Sequence, residues 1–518
     1  MRTTPERGFA DTSSITAADI SSVHSERHQV DRRCSGLAVI GITALTLRRW
    51  AILGDFPPGL DGAQWIAIGR GFHGVGRSSE GAYSPLVPLL ATMADSLFGT
   101  LSAIRLLATL SGLVLSLAIW WVARFTLGPM WGLLATAVVI PASALAEPLL
   151  YGGYPQQLAL AMGIVAVAAA SAIVASPVPR RNTRMWPLVV LCASALLCAA
   201  AHHIYFPLML LSMLTSITLG TTASRDLDPW RSLIPMAWAM LPSVALFVVV
   251  AGAFVRAGYG APLDASARSA ADAWSYATRE SPALWTLLLA VAILSLAATW
   301  RNRANPSWLV SASLILPAGL LMMAFGQPRL APPILIGASL AATFGISQAA
   351  RRVPAIRNVS VIALLAVSLA LLVQADRAAT TFASFYQVVD ESLLQAAMAI
   401  EEDGESGAVS VRADRRGWPI GWWFEALQEN PVFSGSDPQW LAFPDERTRA
   451  WQTAALFDGS FSGDAFLAKA SETGTRYLVI AKWDWIGWER WLSDPGFPLT
   501  VIYDDERFLV LRVAAPSR

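Results

Sequence analysis

Apolar and polar positions segregate along this chain into long blocks, with few short alternations until the last quarter. Apolar runs cover about 34–53, 101–124, 130–149, 155–176, 185–201, 203–220, 232–255, 282–300, 307–325, 329–348 and 356–374. Each approaches the roughly 20 residues that a bilayer core requires of a helix. About eleven membrane-spanning helices result, with the divisions at His202 and Gln327 each open by one helix. Residues 1–33 are polar and lack a signal peptide's apolar centre and cleavage site, so they read as a disordered cytoplasmic tail. Residues 34–375 form the transmembrane domain, with a first outer loop at 55–100.

The pattern changes near residue 376. From 376 to 518 charge rises and no run is apolar enough to span. GAVSVRA, TRYLVIAK, LTVIYDD and RFLVLRV read as strands, the last two as a hairpin. WPIGWWFEALQEN, DERTRAWQTAALF and GDAFLAKASETG have helical spacing. The fold class is therefore an all-α polytopic membrane bundle followed by a C-terminal extracytoplasmic α/β domain. Nine tryptophans lie between Trp418 and Trp491. They suit the core of a small domain, its seat on the membrane part, or stacking against sugars.

Composition agrees with the blocks: 54% of the 518 residues are hydrophobic, 14% are charged and mean hydropathy is +0.48. Such a chain is a multi-pass membrane protein. The net charge of +1 is scattered over short loops, which excludes a nucleic-acid groove. Cys34, Cys192 and Cys198 lie in apolar runs without metal-ligand spacing. Arginines gather in alternate short loops, among them Arg124, Arg180, Arg181, Arg225, Arg301, Arg351 and Arg352. By the positive-inside rule those loops are cytoplasmic, as is the N-terminus. An odd number of spans then puts the first loop and the C-terminal domain outside, in a bacterial inner membrane.

The first loop holds the densest polar chemistry on that outer side. In DFPPGLDGAQW, Pro57 and Pro58 stop the preceding helix and Gly59 allows a turn that presents Asp61. Asp61 can cap the following helix, act as a chemical carboxylate, or do both. Arg70, His73, Arg77 and Glu80 follow within the same segment. Elsewhere on the outer side, Glu147 begins EPLLYGGYPQQ, where Tyr154 and Gln156 open the next helix behind two glycines. That segment is either a tight helix hairpin or part of a substrate pocket. His202 and His203 occupy another outer turn, as caps or as phosphate or hydroxyl ligands. Arg329, in FGQPRLAPP, sits in the first turn of a helix, where the helix dipole disfavours a cation. It either snorkels to the interface or awaits an anion such as a lipid-linked phosphate.

PPGLDGAQW, YSPLVPLL, the short-looped helices to about Leu372 and the outer domain ending VIYDDERFLVLRV together resemble the GT-C superfamily of membrane glycosyltransferases. The resemblance covers nearly the whole chain. It implies an enzyme that takes a sugar from a polyprenyl-phosphate donor and passes it to a glycan, lipid or protein acceptor of the cell envelope. It implies that Asp61 is the first-loop carboxylate serving as general base, and that Arg329 binds the donor phosphate. Glu80, Glu147, Tyr154, Gln156, His202 and His203 are then substrate-binding candidates. The loop lacks the paired acids of the metal-dependent branch, so neither a metal nor any other cofactor is expected, and membrane lipid is the surrounding partner. The rival readings are a carrier or flippase for a lipid-linked substrate and a non-catalytic glycan-binding membrane protein.

Overall fold

The computed structural model describes residues 17–71, 82–175, 181–223, 230–258, 269–412, 418–438, 441, 443–457, 462–483, 489–494 and 496–514. Helix α1 (Ala17–Leu53) is 37 residues long and ends at the PPGLD turn. The polar residues from Ala17 onward, read above as tail, continue the same helix as the first apolar run. Asp31, within that stretch, is held by Arg124 through two hydrogen bonds of 2.6 and 3.0 Å. Helix α2 (Gly62–Gly71) follows the turn, and α3 (Leu86–Phe98) is a shorter apolar helix.

The remaining bundle is α4 (Thr100–Leu127), α5 (Pro129–Val139), α6 (Ser143–Tyr151), α7 (Tyr154–Ala175), α8 (Arg181–Ala201), α9 (Tyr205–Ala223) and α10 (Trp230–Arg256), then α11 (Ala270–Ala277), α12 (Pro282–Ala298), α13 (Pro306–Phe325), α14 (Ala331–Arg352) and α15 (Pro354–Phe385). All eleven apolar runs are helical. Eight helices among the described residues are long and apolar enough to span, and ten spans result if each of two bent pairs counts once. The shortfall from eleven is α8, whose apolar part, Met185–Ala201, is shorter than a full span. The bent pairs are α5 with α6, at 57°, and α11 with α12, at 112°. Pro141 falls in the first break and Pro282 opens α12 after the second, where a missing amide costs no helical hydrogen bond.

Beyond α15 come α16 (Glu391–Asp403), β1 (Ala408–Val411), α17 (Ile420–Leu427), α18 (Pro444–Leu456), α19 (Gly463–Thr473), β2 (Thr475–Ala481), α20 (Glu489–Ser493), β3 (Leu499–Asp504) and β4 (Phe508–Val513). The sheet order is β1-β2-β4-β3, with β1 parallel to β2 and the other two pairings antiparallel. All four strands match apolar runs read from the sequence.

Strand alternation sends the two faces of this sheet to different partners. Leu478, Ile480, Leu509 and Leu511 pack with Leu456, Phe466 and Ala470 of α18 and α19. Tyr477, Val479, Phe508 and Val510 face the other way, into a core that includes Trp422, Trp423 and Phe424 of α17. That second core continues into Ala63, Ile66 and Ala67 of α2, Val87 and Ala91 of α3, Ile104 of α4, and Leu150 and Tyr154. The C-terminal domain and the described part of the first loop thus share one apolar interior. The loop is thereby fixed from above by the sheet domain and from below by the bundle.

Candidate active site

The PPGLDG turn lies where these two parts meet, and its backbone is tied to both. Gly59 N donates to Tyr386 O at 3.1 Å, and Gln387 Nε2 donates to Phe56 O at 2.8 Å. Two indoles add bonds: Trp423 Nε1 donates to Gly59 O at 2.9 Å, and Trp65 Nε1 donates to Gly152 O at 2.7 Å. Asp61 N donates to Tyr151 O at 2.8 Å. Each bond satisfies a backbone group in a region largely shut off from water.

The approach of α6 to this turn depends on Gly152. Its φ of +101° belongs to the left-handed region, and a Cβ there would lie 2.5 Å from Gly62 N and 2.7 Å from the Asp61 carbonyl carbon. Only glycine fits both constraints. The tight-hairpin reading of YGGY holds, and this turn is what brings the Tyr151 carbonyl to the Asp61 amide.

With its backbone so held, Asp61 is half-buried, and its carboxylate makes no hydrogen bond or ion pair with a described residue. In particular it accepts nothing from the first amides of α2, so capping does not occupy it. Removal from water raises its carboxyl to about 6, and the Arg329 guanidinium pulls against that rise. Arg329 therefore stands near enough to Asp61 to act on it. It lies in a 3-10 turn, Pro328–Leu330, immediately ahead of α14, and is exposed. Its side chain likewise makes no hydrogen bond or ion pair with a described residue.

A chain of hydrogen bonds connects the two charged positions through neutral side chains. Tyr151, whose carbonyl takes the Asp61 amide, donates its hydroxyl to Gln156 Oε1 at 3.0 Å. Gln156 Nε2 donates to Tyr205 Oη at 3.2 Å, and Tyr205 Oη donates to Arg329 O at 2.6 Å. Gln156 and Tyr205 are both buried. Gln156 is thus committed to positioning; Tyr154 is fully buried with its hydroxyl packed under Gly62.

The other sequence candidates divide. Glu147 is buried, and its Oε1 accepts from Arg279 Nη2 at 2.7 Å, Tyr386 Oη at 2.5 Å and Tyr276 Oη at 3.2 Å. Its charge is spent inside the protein. His202 and His203 stack at 4.9 Å between ring centres, and His202 Nδ1 accepts from Ile204 N at 3.1 Å. Burial and the Arg329 charge hold both imidazoles below their ordinary value, His203 at about 4, so both are neutral at pH 7. His202 thus caps the turn, and both rings are neutral neighbours of Arg329. Glu80 and His73 lie outside the described residues; Arg70 pairs with Asp95 at 2.7 Å and donates to Glu425 O at 3.0 Å. Among the described residues no three His, Cys, Asp or Glu gather as a metal ion's ligands would.

One wall of the site was not legible in the chain. Tyr83 meets Trp65, Phe254 and Phe443 at 5.6, 5.6 and 5.9 Å, edge to face, and His203 at 6.5 Å. These rings come from four distant segments, and nothing in their local spacing announces it. Tyr205 and Tyr386 were missed for the same reason, although Tyr205 directly follows the His-His turn.

No family model matches the sequence, and no curated protein matches it. Solved structures do. The ArnT structure from Cupriavidus metallidurans bound to undecaprenyl phosphate matches with TM-score 0.58 and 16% identity, over 92% of this chain and 98% of that one. The archaeal oligosaccharyltransferase AglB from Archaeoglobus fulgidus, in complex with an inhibitory peptide and a dolichol-phosphate, matches with TM-score 0.55 and 10% identity, over 86% and 69%. The mycobacterial arabinofuranosyltransferase AftD matches with TM-score 0.53 and 16% identity, over 82% of this chain and 35% of that one. The chain is a multi-pass membrane protein that shares its fold with these three solved structures.

Proposed function

We propose that the protein is an integral-membrane glycosyltransferase that moves a sugar from a polyprenyl-phosphate donor to an acceptor of the cell envelope on the outer face of a bacterial inner membrane. The observation that carries this reading is the pair Asp61 and Arg329: opposite charges, electrostatically coupled, neither engaged by another described residue. The GT-C fold supports it, as do the lipid phosphates in the ArnT and AglB complexes.

The Asp61 carboxylate takes the proton of the acceptor hydroxyl as the hydroxyl oxygen attacks the anomeric carbon. The bond from that carbon to the phosphate oxygen breaks, and its electron pair leaves with the polyprenyl phosphate. Arg329 holds that phosphate and stabilises the charge it gains. One direct displacement inverts the anomeric centre. A carboxyl near 6 is a stronger base than an ordinary carboxylate and is still mostly ionised at pH 7. The chemistry so written needs no metal.

The test is transfer of labelled sugar from a polyprenyl-phosphate donor to envelope acceptors in proteoliposomes. Asp61→Asn is expected to cut the rate roughly 10²- to 10⁴-fold, the usual worth of a general base. Transfer at the wild-type rate would remove Asp61 from the chemistry. Movement of donor across the bilayer with no glycosylated product would instead favour a carrier.

A further inference from the structure

A second set of basic side chains, carried by α1 and α15, has no place in this mechanism. A cavity of about 570 Å³ lies between α1, α6 and α15, with Ala108 of α4 at its edge. Most of its lining is aliphatic, including Ile52, Leu149 and Leu372, but Arg48, Arg49, Asp376 and Arg377 also border it. Three positive charges thus face one negative charge beside an apolar volume within membrane-spanning helices.

The pairing within this group is incomplete. Arg48 is taken by Asp376, through Nε at 2.7 Å and Nη2 at 3.0 Å. Arg49 is half-buried, and its one hydrogen bond to a described residue is to a carbonyl, Gly112 O, at 3.4 Å. A Cβ at Gly112 would come 2.8 Å from Arg49 Nη1, so the guanidinium packs closely against α4 at this position. Arg377 is exposed and makes no side-chain hydrogen bond or ion pair with a described residue. An arginine among spanning helices without a carboxylate partner is costly unless an anion is supplied from elsewhere. A free anion would satisfy the charge but leave the aliphatic volume empty.

We infer that this cavity binds a membrane lipid with an anionic head group, its hydrocarbon in the aliphatic part and its head against Arg49 and Arg377. Both halves of such a molecule match what the cavity offers, and basic pockets between spanning helices are known to hold lipid head groups. The site is separate from Asp61 and Arg329 and stands whether or not sugar transfer does.

The test is native mass spectrometry of the full-length protein in mild detergent, titrated with phosphatidylglycerol, phosphatidylcholine or inorganic phosphate. One phosphatidylglycerol is expected to be retained in preference to phosphatidylcholine, and millimolar phosphate is expected not to displace it. Arg49→Gln and Arg377→Gln should each weaken retention about fivefold, the worth of one surface arginine against an anionic lipid. Leu149→Trp should weaken it by filling the aliphatic half, while Arg329→Ala should leave it intact. Arg377 is exposed, so its variant reports even if Arg49→Gln does not fold. Equal retention of the two lipids, displacement by phosphate, or retention unchanged in Arg377→Gln and Leu149→Trp would each overturn the proposal.

Discussion

Two carboxylates beside the α6–α7 turn, Glu147 and Asp61, show opposite solutions to the same problem. Both are withdrawn from bulk water. Glu147 has Arg279, Tyr276 and Tyr386 arranged around one oxygen, tying α6 to the segment after α11 and to the end of α15. Asp61 lies in a turn whose backbone is bonded to Tyr151, Tyr386 and Trp423, while its carboxylate has no hydrogen bond or ion pair with a described residue. The lesson is one of occupancy. A carboxylate whose bonds are filled within the fold contributes to structure, and one held in place but left unsatisfied is available to a substrate. Their positions in the sequence, each beside a Pro-Gly or Gly-Gly turn, do not separate the two roles.

The contrast can be broken by substitution. Arg329→Ala is expected to lower transfer by roughly 10²- to 10³-fold, the typical loss on removing one group that stabilises developing negative charge. Its thermal unfolding in detergent should stay near wild type, because its side chain supports no other described residue. Glu147→Ala should do the reverse. It leaves the half-buried Arg279 and the buried Tyr386 hydroxyl without their acceptor, which costs about 2 kcal/mol, and its unfolding temperature should fall clearly. If Glu147→Ala unfolded like wild type but lost transfer, the division between structural and chemical carboxylate would be wrong.

A smaller effect is expected at Gly152. Alanine there must adopt a positive φ and push against Gly62 and Asp61, costing about 1 kcal/mol or more and displacing the base. Transfer should fall roughly tenfold, since small misplacements at a reacting centre are expensive. A Gly152→Ala variant with full activity would show that the α6 approach does not set the position of Asp61.

Much of the architecture was legible because its signals are long. Eleven apolar runs and four alternating strands carry their own periodicity, and each became the expected element. The count of spans was less secure, since α8 is helical yet short. Candidate residues could be picked from the sequence only where a side chain stood out of place: Asp61 after two prolines, Arg329 against a helix dipole. The sequence could not separate Glu147 from Asp61, because Arg279 and Tyr386 reach Glu147 from far along the chain. The relay through Gln156 and Tyr205 was hidden likewise, joining three turns by long-range hydrogen bonds. The shared interior of the loop and the outer sheet is a further long-range effect, visible only once α17 is seen against α2.

Electrostatic coupling between Asp61 and Arg329 is the central claim, and the pH dependence of sugar transfer reads it directly. A base must be ionised, so kcat/KM should fall as pH drops through about 6, where burial has placed the Asp61 carboxyl. Arg329 favours the ionised form, so in the residual activity of Arg329→Ala the acid limb should move to higher pH. A limb at the ordinary carboxylate value near 4, or one that Arg329→Ala leaves unmoved, would contradict the pairing.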